Sequence, residues 1–176
     1  DKTSLIAYPA GKAGTDYDVP SSVVSVGDHA FANNQKLENV TLPKGVETLG
    51  KYAFSKATKL QTLELGNSLK SIGTLAFWNC SNLQSLTIPD TVTEIGSTAF
   101  YNCYDTKFYV YSENVKQLVK SAGVSEDNIT IIDPPEDPVF TVDGITYKVT
   151  ADAADGSEGE VQVGDGENAI KGLSGN

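Results

Sequence analysis

The chain has 176 residues, 39% of them hydrophobic, which leaves room for one or two domains and suits a thin stack of high surface-to-volume ratio. All 13 basic residues are lysine, and 23 acidic residues bring the net charge to −10. That balance argues against nucleic-acid binding, which needs a basic stripe, and the missing guanidinium removes bidentate phosphate recognition.

No run of about 18 apolar residues is present, as a membrane-spanning helix would require. The opening Asp1-Lys2-Thr3 lacks Met and the basic and apolar regions of a signal peptide, and reads as a processed or trimmed start. Residues 1–22 look like a degenerate first coil: a short strand over Leu5–Pro9, a turn at Gly11–Gly14, and Tyr17-Asp18-Val19-Pro20 in phase with Leu86-Thr87-Ile88-Pro89. They form the expected amino-terminal cap and partial repeat.

From Val23 the chain repeats itself every 23 residues. Val23, Val46, Leu69 and Val92 occupy one phase, Val26, Leu49, Ile72 and Ile95 another, and Gly27, Gly50, Gly73 and Gly96 a third. Ala30, Ala53, Ala76 and Ala99 are followed in each unit by Phe31, Phe54, Phe77 and Phe100. A period of this length with apolar residues spaced L-x-x-L-x-I marks a leucine-rich solenoid, whose units share one continuous core because none can bury its own apolar face. The expected fold is an α/β repeat solenoid, a right-handed stack of 23-residue units with short parallel strands and short helical turns, followed by a small β segment.

Within a unit, Leu86-Thr87-Ile88 alternates inward, outward, inward as a half-buried strand. Pro43 and Pro89, with Gly66 in the middle unit, stop the strand. Val92–Ile95 is a second extended piece. Gly96 is expected to break it by adopting positive φ, and Ser97–Cys103 to form a short helical turn started by a capping hydroxyl.

The fourth unit departs from the pattern, with Thr106 and Lys107 in the leucine region and one residue deleted before Phe108. Glu113–Ala122 then carries Val115, Leu118 and Val119 at helical spacing and stops at Gly123, and Ile129–Ile132 reads as a last strand. The organisation expected is therefore repeats over 23–111, a capping helix and strand over 112–132, a Pro-rich linker over 133–138, and a β-hairpin segment over 139–176 that begins a further module. Charge supports that division: residues 1–132 hold 11 Lys against 13 acids, and 133–176 hold 2 against 10. In the last segment Val139–Val142 and Ile145–Thr150 flank the hairpin pair Asp143-Gly144, and Glu160–Val163 could add a third strand. Its inward set, Phe140, Val142, Ile145, Tyr147, Val149, Val161 and Val163, is small for an independent core.

Cys80 and Cys103 are themselves 23 residues apart. Coils stack about 4.8 Å apart, within disulfide reach, but equivalent side chains point in parallel, which favours two buried thiols over a bridge. Two thiols are too few for a metal site.

The motif I-G-x-x-A-F-x-x-C-x-x-L-x-x-L-x-I-P, complete in Ile72–Pro89, resembles the BspA-like (Treponema-type) leucine-rich repeat proteins of bacterial cell surfaces. Tyr8–Lys12 resembles the lead-in of such arrays, and Ser112–Ile132 their ending. The resemblance implies a secreted or surface-anchored protein that adheres to host matrix proteins or other bacteria, held at the membrane through an anchor outside this chain, and it offers no catalytic residue to carry over. The chain departs from the pattern at Asn34, Ala57, Gly66 and Thr106.

No catalytic, cofactor or metal site is expected. His29, the sole histidine, shares its phase with Tyr52, Leu75 and Thr98, so the position tolerates anything and reads as exposed. Asp152–Glu167 invites a calcium reading, but Ala154 and Gly156 fall where an EF-hand loop needs ligands, and solvated turns fit better. Candidate partner-binding residues are of two kinds. Trp78 and Tyr101 each follow a core phenylalanine in adjacent units and are expected to be neighbours joined by Tyr104, as interface anchors or as aromatic packing over the turns. Glu64, Thr87 and Tyr109 continue an outward ladder begun by Asp18 and Thr41, flanked by Asn39, Thr62, Ser85 and Lys107. The function expected is a non-enzymatic extracellular or cell-surface module for protein–protein or host-matrix adhesion; the alternatives are a structural spacer, or a carbohydrate-binding module that stacks sugars on Trp78 and Tyr101.

Overall fold

The computed structural model describes residues 3–9 and 12–134 in full and the backbone of three strands beyond them, 139–142, 145–149 and 161–163. The chain divides into two units, 1–133 and 134–176. The first is a stack of coils, each but the last contributing one strand to each of two parallel sheets. One sheet is built from β2 (Asp16–Asp18), β4 (Asn39–Thr41), β6 (Thr62–Glu64), β8 (Ser85–Ile88), β10 (Lys107–Val110) and β11 (Ile129–Ile131), in that spatial order. The other runs β1 (Thr3–Leu5), β3 (Val23–Val26), β5 (Thr48–Leu49), β7 (Ser71–Ile72), β9 (Glu94–Ile95).

The register follows the repeat: Tyr17 faces Val40, Val40 faces Leu63, and Leu86 faces Phe108, which faces Ile129. Period-two alternation sends these side chains inward, and Leu86 and Ile88 are buried while Thr87 is half-exposed. Between the sheets the recurring phenyl rings lie face to face. Phe31–Phe54, Phe54–Phe77 and Phe77–Phe100 have centroids 4.6, 5.5 and 5.5 Å apart and planes within 11° of parallel. Each ring is buried, so the shared core is one continuous column.

The column is closed at both ends by substituted aromatics. Tyr8 takes the phenylalanine place in the first coil, stacked on Phe31 at 5.5 Å, with Tyr17 edge-on to it at 4.8 Å and the Lys12 ammonium 4.2 Å from the Tyr17 centroid. At the far end Phe108 meets Phe100 edge-on at 4.8 Å. Thr106, in a leucine position, is buried, and its hydroxyl donates to the Leu83 carbonyl at 2.8 Å. That bond removes the cost of a buried unpaired hydroxyl.

Two local expectations are corrected. The segments after the conserved-phase glycines are not helical. Their i→i+3 bonds, such as Ala30 N–H to Gly27 O and Ala32 N–H to His29 O, are interrupted by left-handed residues: His29, Tyr52, Leu75 and Thr98 at one phase, Asn33, Lys56, Asn79 and Asn102 four residues on. The reason lies in the backbone donors. A helix would keep its N–H groups to itself, whereas these turns release alternate ones to the next coil: His29 to Lys51 O, Phe31 to Ala53 O and Asn33 to Ser55 O, at 2.7–2.9 Å. The turn flank is thus a third hydrogen-bonded face of the stack.

The second correction concerns Gly96 and its equivalents, which do not adopt positive φ. A Cβ on Gly50, Gly73 or Gly96 would lie 2.3–2.6 Å from backbone of the preceding coil. The glycine allows coils to touch, and the left-handed turn falls two residues later.

The carboxy-terminal end of this unit is α1 (Glu113–Ser121), capped by the Ser112 hydroxyl, which accepts from Val115 N–H at 3.4 Å, and stopped at Gly123 (φ 96°). Val115 and Val119 face the core, and β11 adds in parallel to β10. The strand expected over Leu5–Pro9 lies earlier, at Thr3–Leu5, and Ile6 is exposed.

In the second unit β12 (Val139–Val142) pairs antiparallel with β13 (Ile145–Val149), and β13 with β14 (Val161–Val163). The hairpin pairing read from Asp143-Gly144 is present. Its expected inward set, the linker residues 135–138 and most of the acidic run 152–167 lie outside the described residues.

Candidate functional site

The repeat gives the outward sheet residues their alignment. Asp18 faces Thr41, Thr41 faces Glu64, and Thr87 faces Tyr109, so the Glu64, Thr87 and Tyr109 anticipated from sequence lie on adjacent strands of one face. Glu64 is exposed, and Thr87 and Tyr109 are half-buried. The flanking ladder is tied together by side chains. Asn39 Nδ2 donates to Asp16 Oδ1 and Thr62 Oγ1 to Asn39 Oδ1, both at 2.6 Å, and Thr15 Oγ1 donates to Asp16 Oδ2 at 2.7 Å. The bonds from Thr15 and then Asn39 favour the ionised form and hold the Asp16 carboxyl below its ordinary range. A face whose polar groups are already fixed to one another presents a rigid pattern.

The turn flank carries the aromatics. Trp78 and Tyr101 sit on successive coils linked by the bond from Asn79 N–H to Tyr101 O, 2.9 Å. Tyr101 is 54% exposed and Tyr104 70% exposed. Trp78 is half-buried and engaged from the preceding coil: Tyr52 meets it edge-on at 6.5 Å, and the Lys56 ammonium lies 4.7 Å from its ring centroid. Among the described residues Trp78 makes no ring contact with Tyr101, so the expected trio is split into a packed Trp78 and two free tyrosines. His29 is exposed and stacks on Tyr52 at 4.9 Å and 4°. Its position is constrained to left-handed backbone rather than indifferent to residue type.

Tyr52 and Lys56 were not anticipated. Their signal was the repeat phase itself, which places them one coil from Trp78, but the pairing depends on side-chain direction. Also missed was an open groove of about 520 Å³ lined by Gln61, Ser81, Asn82, Leu83, Gln84 and Asp105. No periodic pattern marks those residues.

Cys80 and Cys103 are free and buried, each thiol donating to a carbonyl: Cys80 to Phe54 O at 3.1 Å and Cys103 to Phe77 O at 3.0 Å. Burial pushes both thiols up, Cys103 to about 11, with Cys103 adding to the effect at Cys80. Neither is a nucleophile at neutral pH. Among the described residues no cluster of three His, Cys, Asp or Glu side chains is placed to hold a metal, and no helix is long and apolar enough to cross a membrane.

Residues 11–130 match the profile of the BspA type leucine rich repeat region in six copies. Among solved structures, the pneumococcal vaccine antigen PcpA is 26% identical over 76% of this chain and 45% of its own, with a TM-score of 0.57. A leucine rich cell surface protein from Faecalibacterium prausnitzii A2-165 is 25% identical over 75% of this chain and 36% of its own, TM-score 0.63. A leucine-rich repeat protein from Bacteroides capillosus ATCC 29799 is 28% identical over 62% and 86%, TM-score 0.56. The chain thus spans less than half the length of the first two. No curated protein matches it.

Proposed function

The chain belongs to the BspA-type leucine-rich repeat family, and from that premise we propose that it is a non-enzymatic interaction module, displayed on or released from a bacterial surface, that binds a protein ligand such as a host matrix protein. Leucine-rich repeat stacks are typically interaction scaffolds, and two of the similar structures are a vaccine antigen and a cell surface protein. The observation that carries the reading is the pair of open tyrosines, Tyr101 and Tyr104, on one turn of a rigid stack. A tyrosine supplies large apolar area at low ordering cost, and a coil fixed by hydrogen bonds on both sides loses little freedom on binding. The ladder Glu64, Thr87 and Tyr109 offers a second, flatter face.

The carbohydrate alternative that stacks sugars on Trp78 is weakened by the Lys56 ammonium over that ring. The spacer alternative is decided by experiment. Immobilised extracellular-matrix proteins should bind the chain saturably, and Tyr101→Ala with Tyr104→Ala should weaken binding by about 30-fold, the effect of losing an aromatic anchor. Absence of saturable binding by the folded chain returns the reading to a spacer.

A further inference from the structure

We propose that the groove lined by Gln61, Ser81, Asn82, Leu83, Gln84 and Asp105 is a binding site for a neutral saccharide, distinct in its lining residues from the tyrosine pair and independent of the adhesion reading. The groove lies at the corner where the turn segment passes into β8, beside the next coil's equivalent corner at Asp105. Its volume of about 520 Å³ is in the range that holds a small ligand.

The lining chemistry selects the class. Three carboxamides and a hydroxyl each offer both donor and acceptor, the pairing that vicinal sugar hydroxyls require, since each hydroxyl gives one hydrogen and accepts others. The Asp105 carboxylate adds a charge-assisted acceptor for two hydroxyls. None of the lining residues is basic, so phosphate and sulfate find no counter-charge, and Asp105 repels a sugar acid. An apolar peptide side chain would leave the carboxamides unpaired.

The groups are also available and positioned. Among the described residues the Gln61, Gln84 and Asp105 side chains make no hydrogen bond or ion pair within the protein. Asn82 is fixed by its Nδ2 bond to Thr58 O at 2.6 Å, which turns its Oδ1 into a placed acceptor. Thr58 is itself held by Gln35 Oε1 at 2.6 Å. Leu83, buried beneath, closes the floor of the groove.

The test is a titration of nitrogen-15-labelled protein with lactose, maltose and chitobiose, read at the side-chain amide signals of Gln61, Asn82 and Gln84, with sialyllactose alongside. At least one neutral disaccharide should move those signals saturably. Asp105→Ala should weaken the interaction by about tenfold and Gln84→Ala by about threefold, matching a lost charged and a lost neutral hydrogen bond. Tyr101→Ala should leave it unchanged, which separates this site from the matrix-binding surface. Unaltered amide spectra elsewhere show that the variants remain folded. The proposal is overturned if none of the neutral disaccharides moves the signals, if Asp105→Ala and Gln84→Ala bind as well as the unsubstituted chain, or if sialyllactose binds more tightly than lactose.

Discussion

The eight left-handed positions and the four glycines divide the work of each turn between them. Gly73 has no positive φ to justify it, only the neighbouring coil's backbone 2.6 Å from where a Cβ would stand. Gly73→Ala should therefore destabilise the stack by about 1–3 kcal/mol or more through overpacking, measured by denaturant unfolding. Thr98 is the opposite case. A β-branched residue at φ 53° pays for a conformation that glycine adopts freely. Thr98→Gly should raise stability by roughly 0.5–1 kcal/mol, less whatever its hydroxyl bond to Ser97 O contributes. Opposite signs from these two exchanges at neighbouring phases would separate packing from backbone strain.

The capping helix is held from both ends by charge and hydrogen bonding. Lys116 Nζ reaches Glu126 Oε1 and Lys120 Nζ reaches Glu126 Oε2, each at 2.8 Å, so α1 is clipped to the turn before β11. These bonds, Lys116 first, draw the Glu126 carboxyl from 4.5 down to about 2. A lowered acid stabilises the fold above its unfolded value, and that contribution is lost as pH falls from about 4.5 towards 2. Glu126→Gln should lower the melting temperature at pH 7, by an amount that shrinks with added salt and vanishes below about pH 2. A constant deficit at all pH values would mean that the ion pair is not its cause.

At the scale of the molecule, stability is a sum over coils and the contacts between them. Phe77 has a ring partner on each side, whereas Phe100 has one phenyl face and an edge contact. Phe77→Ala should cost about 3–5 kcal/mol, and because the cavity interrupts the column in mid-stack it should also broaden the unfolding transition. An effect below about 1 kcal/mol would show that the phenyl column is not the core. The acidic surplus lies mostly beyond residue 132, so the stack itself, at 11 Lys to 13 acids, is close to neutral, and the recognition surfaces proposed for it rest on aromatic and amide groups rather than on a strong field.

The period of 23 was sufficient to align the inward residues as far as the fourth unit's deletion, because identical coil lengths force equivalent side chains into register; Leu63, Leu86 and the phenylalanine series could be assigned to the core from spacing alone. The helix cap was equally legible, since Val115 and Val119 at helical spacing between Ser112 and Gly123 leave little choice. The turn conformation was not. A stretch such as Ser97–Cys103 has the composition of a helical turn, and only the bonding between coils, here the Ala99 and Tyr101 carbonyls accepting the Phe77 and Asn79 N–H groups of the preceding coil, decides for left-handed turns. The glycine phase misled for the same reason: its cause is a backbone 23 residues away. Trp78, Tyr52 and Lys56 could be placed on adjacent coils by counting, but which ring meets which depends on side-chain directions that packing selects. The groove at Asp105 has no signature in sequence, because it is a space between coils and not a property of any one of them.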